Sequence, residues 1–159
     1  MYKSLYLYLQ GNNILYRYQF GFRQNHSTAL ALIDVVDSIY KYLDHNETVI
    51  GLYLDLQKAF DTVNHKILLQ KLNNYGVRGI GLVLDWLNSY LSGRKQFTTV
   101  NNCNSEIIIT INCGVPQGSV LGPLLFLIYV KDYVMLLPKP KLNCLLMTPI
   151  SLFTAKIKL

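Results

Sequence analysis

The stretch Tyr53–Val63, YLDLQKAFDTV, contains the acidic residue on which the interpretation of the whole chain depends. Leu52 and Leu54 alternate with Tyr53 and Asp55, a spacing that is typical of a β-strand. Asp55 would then lie at the carboxyl end of that strand, a usual place for a catalytic or metal-binding carboxylate. Such a carboxylate can bind Mg²⁺, a hard ion that prefers oxygen ligands. A solvated aspartate at a strand end is the alternative that the residues leave open.

Length and composition are those of one folded domain. The chain has 159 residues, of which 51% are hydrophobic and 15% charged, so it is neither a disordered segment nor a charged tail. There are 15 Lys and Arg against 9 Asp and Glu, which gives a net charge of +6. This balance favours nucleic acid or anionic lipid as a partner, although a basic domain without either partner is equally compatible with the charge.

The cysteines and the apolar runs indicate the cellular compartment in which the protein is expected. Cys103, Cys113 and Cys144 are odd in number and form no CxxC pair, which argues against a disulfide framework and a zinc site. The amino-terminal apolar run is too short for a good signal peptide, and the apolar run at 120–130 is too short to cross a bilayer. We therefore expect an intracellular protein, cytoplasmic or nuclear, with no membrane contact.

Hydrophobic periodicity predicts a mixture of helices and strands. Apolar residues at three- and four-residue steps predict helices at 26–44, 64–75, 80–91 and 121–134. Short β-branched runs predict strands ending at 55 and spanning 96–100 and 106–111, with a turn at 101–102. Because these elements form no repeating β-α-β pattern, the predicted fold class is α+β.

Several boundaries and core positions can be assigned within these elements. Ser27 or Thr28 is suited to cap the first helix and Asn64 the second, and Gly76 is suited to end the second. Trp86 and Tyr90 recur at helical spacing, and we expect them in the core rather than in a base-stacking platform.

The loop Gly114–Gly122, GVPQGSVLG, is a candidate ligand-binding segment. Two glycines and a proline precede an apolar helix. Free backbone N–H groups at the start of a helix can hold phosphate or a polar base edge. Gln117 offers both a donor and an acceptor. An ordinary strand-to-helix connection is the alternative.

Three further residues each have an ordinary structural interpretation. Arg23 precedes a predicted helix and suits bidentate phosphate contact, but it could equally be a surface arginine near a cap. Phe60, taken alone, would more often be a core residue. Asp61 could simply cap the turn before Val63.

Four segments, taken in order, give the chain a specific resemblance. They are QFGFRQNHST at 19–28, YLDLQKAFDTVNHKILLQKLNNYGVRG at 53–79, SYLSGRKQ at 89–96 and GVPQGSVLGPLLFLIYVKD at 114–132. Together they resemble the reverse transcriptase of non-LTR retrotransposons, close to the jockey-like group. The resemblance covers residues from about 5 to 134 and implies part of a right-hand polymerase fold, with a fingers fragment and an incomplete palm.

The resemblance also implies roles for individual residues. Asp55 matches the first catalytic aspartate, a ligand of two Mg²⁺ ions, and the carbonyl of Leu56 matches a contact with the second ion. Phe60 matches the bulky residue that lies under the incoming sugar and excludes a 2′-hydroxyl. Gln117 and Gly118 match the loop beside the nascent base pair.

The implied partners are an RNA template, a DNA primer and a dNTP. Arg23 lies in the fingers motif, where the resemblance implies contact with the triphosphate or the template. The reaction of this family is in-line nucleotidyl transfer, in which two metal ions clamp the attacking and leaving oxygens.

The second carboxylate element of such a site is missing from this chain. The family places an adjacent Asp-Asp pair on a hairpin just after the helix that ends near Asp132. No two adjacent acidic residues occur in the sequence, and the segment 138–159 has three prolines, no acidic residue and no clear period. We expect a partial reverse transcriptase domain at 1–137, followed by an aberrant tail at 138–159.

The genetic code suggests how the pair was lost. Met147 is always ATG, so a shift of two bases joins its final G to the AC of Thr148 and gives GAC, an aspartate codon. If the Leu146 codon ends in G, the preceding shifted codon is GAT, a second aspartate. The hypothesis is a one-base insertion or deletion between about 134 and 143. It predicts a truncated reverse transcriptase that is catalytically inactive. A non-catalytic nucleic-acid-binding remnant and a relic that does not fold stably are the alternatives.

Overall fold

A computed structural model describes residues 1–54, 56–77, 82–105, 109–136 and 151–155. The helices are α1 (Tyr2–Gly11), α2 (Thr28–Asp44), α3 (His65–Asn74), α4 (Leu82–Leu91) and α5 (Gly122–Leu136). The strands are β1 (Ile50–Leu54), β2 (Arg94–Gln96), β3 (Thr99–Val100), β4 (Cys103–Asn104), β5 (Ile109–Ile111) and β6 (Ser151–Ala155).

The strands form small antiparallel pairs. β1 pairs with β6 along its whole length, from Ile50 opposite Ala155 to Leu54 opposite Ser151. β2 pairs with β5, and β3 with β4. Helices mixed with antiparallel sheets agree with the predicted α+β class. The strand predicted at 96–100 is two short strands, and the one predicted at 106–111 is described only as β5, because 106–108 lie outside the described residues.

The turn between β3 and β4 has the predicted chemistry. Asn101 and Asn102 both have positive φ angles, 50° and 62°. A two-residue hairpin of this handedness favours asparagine, because its short polar side chain tolerates the left-handed region. The Asn101–Asn102 turn is therefore confirmed.

The described chain divides into two compact units, each considered by itself. The first comprises Met1–Tyr6 and Phe60–Tyr129, and the second Leu7–Ala59 and Val130–Leu159. In the first unit, the core is built from apolar side chains of α3, α4 and α5, namely Leu68, Leu72, Leu87, Leu91, Leu124, Leu125, Phe126 and Ile128. α5 is apolar on nearly every side, as expected of a helix that is buried all round.

The predicted caps are present at the helix ends. The Ser27 hydroxyl accepts from Leu30 N at 3.2 Å, and the Asn64 side chain accepts from Ile67 N at 3.2 Å. Gly76 follows α3 with a φ of 78°, a conformation that glycine adopts without steric cost. α1, by contrast, was not predicted, although Leu5, Tyr6 and Leu9 are buried at helical spacing.

Two helices expose large apolar side chains, and the predicted core position of Trp86 was wrong. The buried residues of α2 are Ala31, Val35 and Ser38. Its large side chains, Leu30, Leu32, Ile33, Val36, Tyr40 and Leu43, are between 37% and 63% exposed and form what we call the apolar face of α2. Trp86 is 43% exposed and stacks on Tyr90 with ring centroids 5.2 Å apart, so Trp86 is not a core residue. Periodicity identifies a helix but does not say which face is covered.

In the part of the chain that the structure describes, no helix is both long and apolar enough to cross a membrane.

Candidate functional site

In the first unit, backbone hydrogen bonds join the turn Phe60–Val63 to the loop Gly114–Gly122. Gly114 N donates to Val63 O at 2.7 Å, and Val115 N donates to Phe60 O at 2.8 Å. These bonds hold the start of the loop 114–122 against the turn that contains Asp61. The turn and the loop are far apart in the sequence but are therefore neighbours in space.

Gly114 is the residue that allows this approach. Its φ is +84°, and a Cβ atom there would lie 2.9 Å from both Asp61 Cα and Asp61 O and 3.0 Å from Phe60 O. Because those neighbours are backbone atoms that cannot rotate away, only glycine fits this position.

The carbonyl of Gly114 accepts two hydrogen bonds. His65 Nε2 lies 2.7 Å from it and Arg94 Nη2 lies 2.8 Å from it. A carbonyl oxygen can only accept, so Nε2 of the buried His65 carries a proton. Arg94 Nε also donates to Leu91 O at 3.2 Å, which fixes the guanidinium between α4 and the loop.

Gln117 lies beside Asp61. Its Nε2 donates to Asp61 Oδ1 at 2.9 Å, and both side chains are exposed. Gly118 follows in a left-handed conformation, with φ +77° and open space where a Cβ would lie. Asp61 was interpreted as a possible turn cap, whereas the structure gives its carboxylate a partner in the second motif.

Phe60 is half-buried and packs on the core. Its ring centroid lies 4.7 Å from that of Phe126, with the two planes inclined by 40°. Phe126 is a buried residue of α5, so it holds the Phe60 ring in one place. The structure thus agrees with a core contact for Phe60 and leaves part of its ring exposed.

The start of α5 is capped by its own loop. Ser119 Oγ accepts from Gly122 N at 3.0 Å and donates to Pro116 O at 2.7 Å. A Cβ on Gly122 would lie 2.8 Å from Pro116 O, which explains glycine here. One backbone N–H that was expected to be available to a ligand is therefore used by Ser119.

A cavity of about 650 Å³ opens beside these residues. We call it the Gln117 pocket and define it by Asp61, Arg94–Gln96, Ile111 and Cys113–Gln117. Lys95 is exposed at its rim, so the pocket has one carboxylate and two cationic side chains. Asp61, Arg94 and Lys95 were not predicted as site residues. Their motifs, YLDLQKAFDTV and SYLSGRKQ, were the signal that could have found them.

The proposed metal ligands are less well defined. Asp55 lies outside the described residues, and Leu56 belongs to the second unit, where its side chain is 43% exposed. Among the described residues, no cluster of three or more His, Cys, Asp or Glu side chains could hold a metal ion. One carboxylate and one carbonyl do not fit two Mg²⁺ ions, each of which takes near-octahedral oxygen coordination.

Arg23 also belongs to the second unit and is half-buried there. Its Nη1 donates to Tyr16 O at 2.8 Å, so part of the guanidinium braces the backbone.

Comparison with known proteins identifies the class. Residues 2–147 match the family described as reverse transcriptase (RNA-dependent DNA polymerase). The chain is 38% identical over 125 residues to a probable RNA-directed DNA polymerase from transposon BS of Drosophila melanogaster, covering 75% of this chain and 13% of that protein. It is 38% identical over 116 residues to the RNA-directed DNA polymerase from mobile element jockey of Drosophila funebris, covering 73% and 12%.

The third comparison extends further along the chain. A probable RNA-directed DNA polymerase from transposon X-element of Drosophila melanogaster is 36% identical over 136 residues, covering 85% of this chain and 14% of that protein. The chain therefore belongs to the reverse transcriptase family, and within it to the polymerases of non-LTR retrotransposons, which confirms the resemblance. A palm-like polymerase fold follows from this membership. The chain spans only 12% to 14% of the length of these three relatives.

Proposed function

We propose that the chain supplies a fingers segment and an incomplete palm of an RNA-directed DNA polymerase, and that its Gln117 pocket contacts the dNTP and the nascent base pair. The observation that carries this proposal is the joining of the Phe60–Asp61 turn to the Gln117 loop by the backbone bonds of Gly114 and Val115. Family membership supports an RNA template and a DNA primer as partners.

Gln117, which lines the pocket, and its neighbours Phe60 and Gly118 suit these roles. The Phe60 ring packs on Phe126, which supports the role of a fixed bulky residue under the incoming sugar that the family resemblance gives this position. The Gln117 amide is oriented by Asp61, which leaves its carbonyl oxygen and second N–H available to a base edge. Gly118 lets the backbone come close to that base pair. Arg23 belongs to the second unit and is no part of this pocket, and for it the family resemblance alone supports a contact with the triphosphate or the template.

Metal chemistry limits what these residues do alone. The family uses divalent ions such as Mg²⁺, which when bound neutralise the phosphates and orient the reacting oxygens. In this proposal Asp55 is the first catalytic carboxylate and Leu56 O the neighbouring ligand. Since the sequence contains no adjacent acidic pair, we propose that the 159 residues by themselves do not polymerise.

Primer extension on an RNA template with Mg²⁺ tests this part of the proposal. The chain and its Asp55→Ala variant should incorporate dNTP at the same background level. Incorporation by the chain above that of Asp55→Ala would overturn the proposed inactivity.

Binding to an RNA–DNA primer–template duplex tests the pocket itself. We expect Lys95→Gln to weaken binding by about fivefold and to reduce the salt slope by about 1, because Lys95 lies at the rim of the Gln117 pocket. Lys66→Gln removes the same charge from an exposed position on α3 and serves as the matched control. Equal affinities of the two variants would contradict the proposed interface.

We also propose that the tail at 138–159 is translated in a shifted frame. The coding DNA tests this directly, since the Leu146 codon must end in G for the shifted frame to contain two aspartates. A frame-restored chain should bind Mg²⁺ more tightly than the present chain, as measured by calorimetry. A Leu146 codon without a final G would contradict the proposal.

A further inference from the structure

α2 has one side that is buried and an opposite side that is apolar but exposed. Ala31, Val35 and Ser38 lie on the buried side, and the apolar face of α2 lies across the helix from them. Within that face, the exposed fraction reaches 63% at Leu32 and at Tyr40. Folded proteins rarely leave a contiguous apolar stripe in water unless another molecule binds to it.

The exposed side has the spacing of a coiled-coil seam. Its central line consists of Ala29, Ile33, Val36, Tyr40 and Leu43, at steps of four, three, four and three residues. Residues spaced in this way form one stripe along an α-helix, and a second helix with the same spacing packs its side chains between them. α2 has 17 residues, so the stripe runs along nearly its whole length. The spacing therefore fits a helix as the bound element.

One edge of this stripe is acidic. Asp37 and Asp44 are exposed, and each follows a residue of the stripe, Ile33 or Tyr40, by one helical turn. Lys41 lies further round the helix, away from the stripe. α2 contains three aspartates and one lysine, in a chain whose net charge is +6. The charge beside the apolar face of α2 is thus opposite in sign to that of the whole chain.

This acidic edge distinguishes between the possible partners of the face. Asp37 and Asp44 would repel a nucleic acid or an anionic lipid surface. In antiparallel pairing with a second copy of the chain, the acidic edges of the two helices would meet and repel each other. In parallel pairing, the acidic edge would lie against Leu32 and Ile39, which offer no charge. Lysine or arginine beside the stripe of a partner helix would instead form ion pairs with the aspartates.

We propose that the apolar face of α2 binds an amphipathic α-helix of a partner protein, one whose apolar stripe is flanked by lysine or arginine. This protein–protein contact does not depend on the polymerase function proposed above. Burial of the apolar side chains would supply most of the affinity. Asp37 and Asp44 would determine which helix binds and in which orientation.

Two synthetic peptides test the proposal. Each is a stapled helix of about three heptads with leucine and isoleucine along its apolar stripe, flanked by lysine in one peptide and by glutamate in the other. Fluorescence anisotropy of the labelled peptides is measured on titration with the 159-residue chain. We expect the lysine peptide to bind at least about tenfold more tightly than the glutamate peptide. Because the chain has a net charge of +6, non-specific attraction would give the reverse order.

Reversal of one charge tests the acidic edge. Asp37→Lys should weaken binding of the lysine peptide by about fivefold and strengthen binding of the glutamate peptide, because it places a cation beside the stripe. Asp85→Lys makes the same change at an exposed aspartate of α4 and is the matched control. It should change either affinity by less than about twofold.

Removal of one apolar side chain tests the stripe. Ile33→Ser should weaken binding of both peptides by at least about tenfold, because this side chain lies in the middle of the seam. The control is Leu82→Ser, at a position of α4 that is 72% exposed. Since both positions are exposed, both variants should keep the helix content of the unsubstituted chain, as measured by circular dichroism.

Several results would overturn the inference. They are a lysine peptide that does not bind, a glutamate peptide that binds equally well or better, and equal effects of Asp37→Lys and Asp85→Lys. Sedimentation equilibrium provides one more. A dimer of the unsubstituted chain that Ile33→Ser converts to a monomer would assign the face to a second copy of the chain instead.

Discussion

Single residues decide whether the two motifs of the Gln117 pocket can touch. At Gly114 two separate constraints coincide, a φ of +84° and backbone atoms of Asp61 2.9 Å from any Cβ. Gly93 and Gly118 also have positive φ, but nothing lies within 4 Å of a Cβ at either position. Gly93 and Gly118 therefore have only the conformational constraint, whereas Gly114 has the steric constraint as well.

Gly114→Ala should lower the free energy of unfolding by more than Gly93→Ala does. The left-handed conformation alone costs an alanine about 1–2 kcal/mol, which is what we expect at position 93. At position 114 the clash adds to this, for a total of about 3–4 kcal/mol. Urea denaturation measures both changes. Equal losses would mean that the Asp61 backbone moves away without cost.

The sequence predicted which residues belong to the candidate site better than it predicted which residues they contact. Gln117, Gly118 and Phe60 were singled out from their motifs, and the structure brings Phe60 and Gln117 to the two sides of one junction. Asp61 was missed because its partner is 56 residues away, and periodicity carries no information about such a distance. Asp55 lies outside the described residues and stays a prediction.

Individual elements meet at the Gly114 carbonyl, which accepts from the first residue of α3 and from β2. Since His65 and Arg94 both donate to it, the loss of one donor leaves the other in place. Removing both would leave a buried acceptor without either of these partners. Burial of an unsatisfied polar group costs about 1–3 kcal/mol.

A double-mutant cycle on His65→Ala and Arg94→Ala should therefore be non-additive. We expect the double variant to lose about 1 kcal/mol more than the sum of the single variants, in free energies of unfolding from urea titrations. An additive cycle would show that the carbonyl finds another donor, such as water.

Helix ends were predicted well because caps are local. Ser27, Asn64 and Gly76 act within three or four residues of their partners, so the sequence contains the whole signal. The short strands near 94–111 were predicted less well, because their boundaries depend on pairing between strands. α1 was missed because its buried positions depend on contacts that lie elsewhere in the chain.

For the molecule as a whole, the pairing of β1 with β6 links the middle of the chain to its final described segment. Every residue of Ile50–Leu54 has a partner in Ser151–Ala155. The sequence of the tail has no clear period and does not predict a strand there. Hydrophobic alternation is weak in SLFTA, so the strand is defined by its partner rather than by its own composition.

Removal of residues 138–159 tests this pairing. A chain that ends at 137 lacks β6, so we expect the backbone amides of β1 to exchange with solvent at least about tenfold faster, because exchange follows the free energy of local opening. Hydrogen exchange measured by NMR reports this, and α3 in the first unit is the internal reference. Unchanged protection at β1 would contradict a stabilising role for β6.

The apolar face of α2 has a consequence for how the protein behaves in concentrated salt. Sulfate strengthens the association of exposed apolar surface, whereas any salt weakens contacts with phosphates. Raising the ammonium sulfate concentration should therefore release bound nucleic acid and also promote precipitation of the protein. Leu32→Lys, at a position 63% exposed, should move that precipitation threshold upward without changing the fold. Removal of nucleic acid at high salt will then require that the apolar face of α2 does not associate with the same face of other molecules.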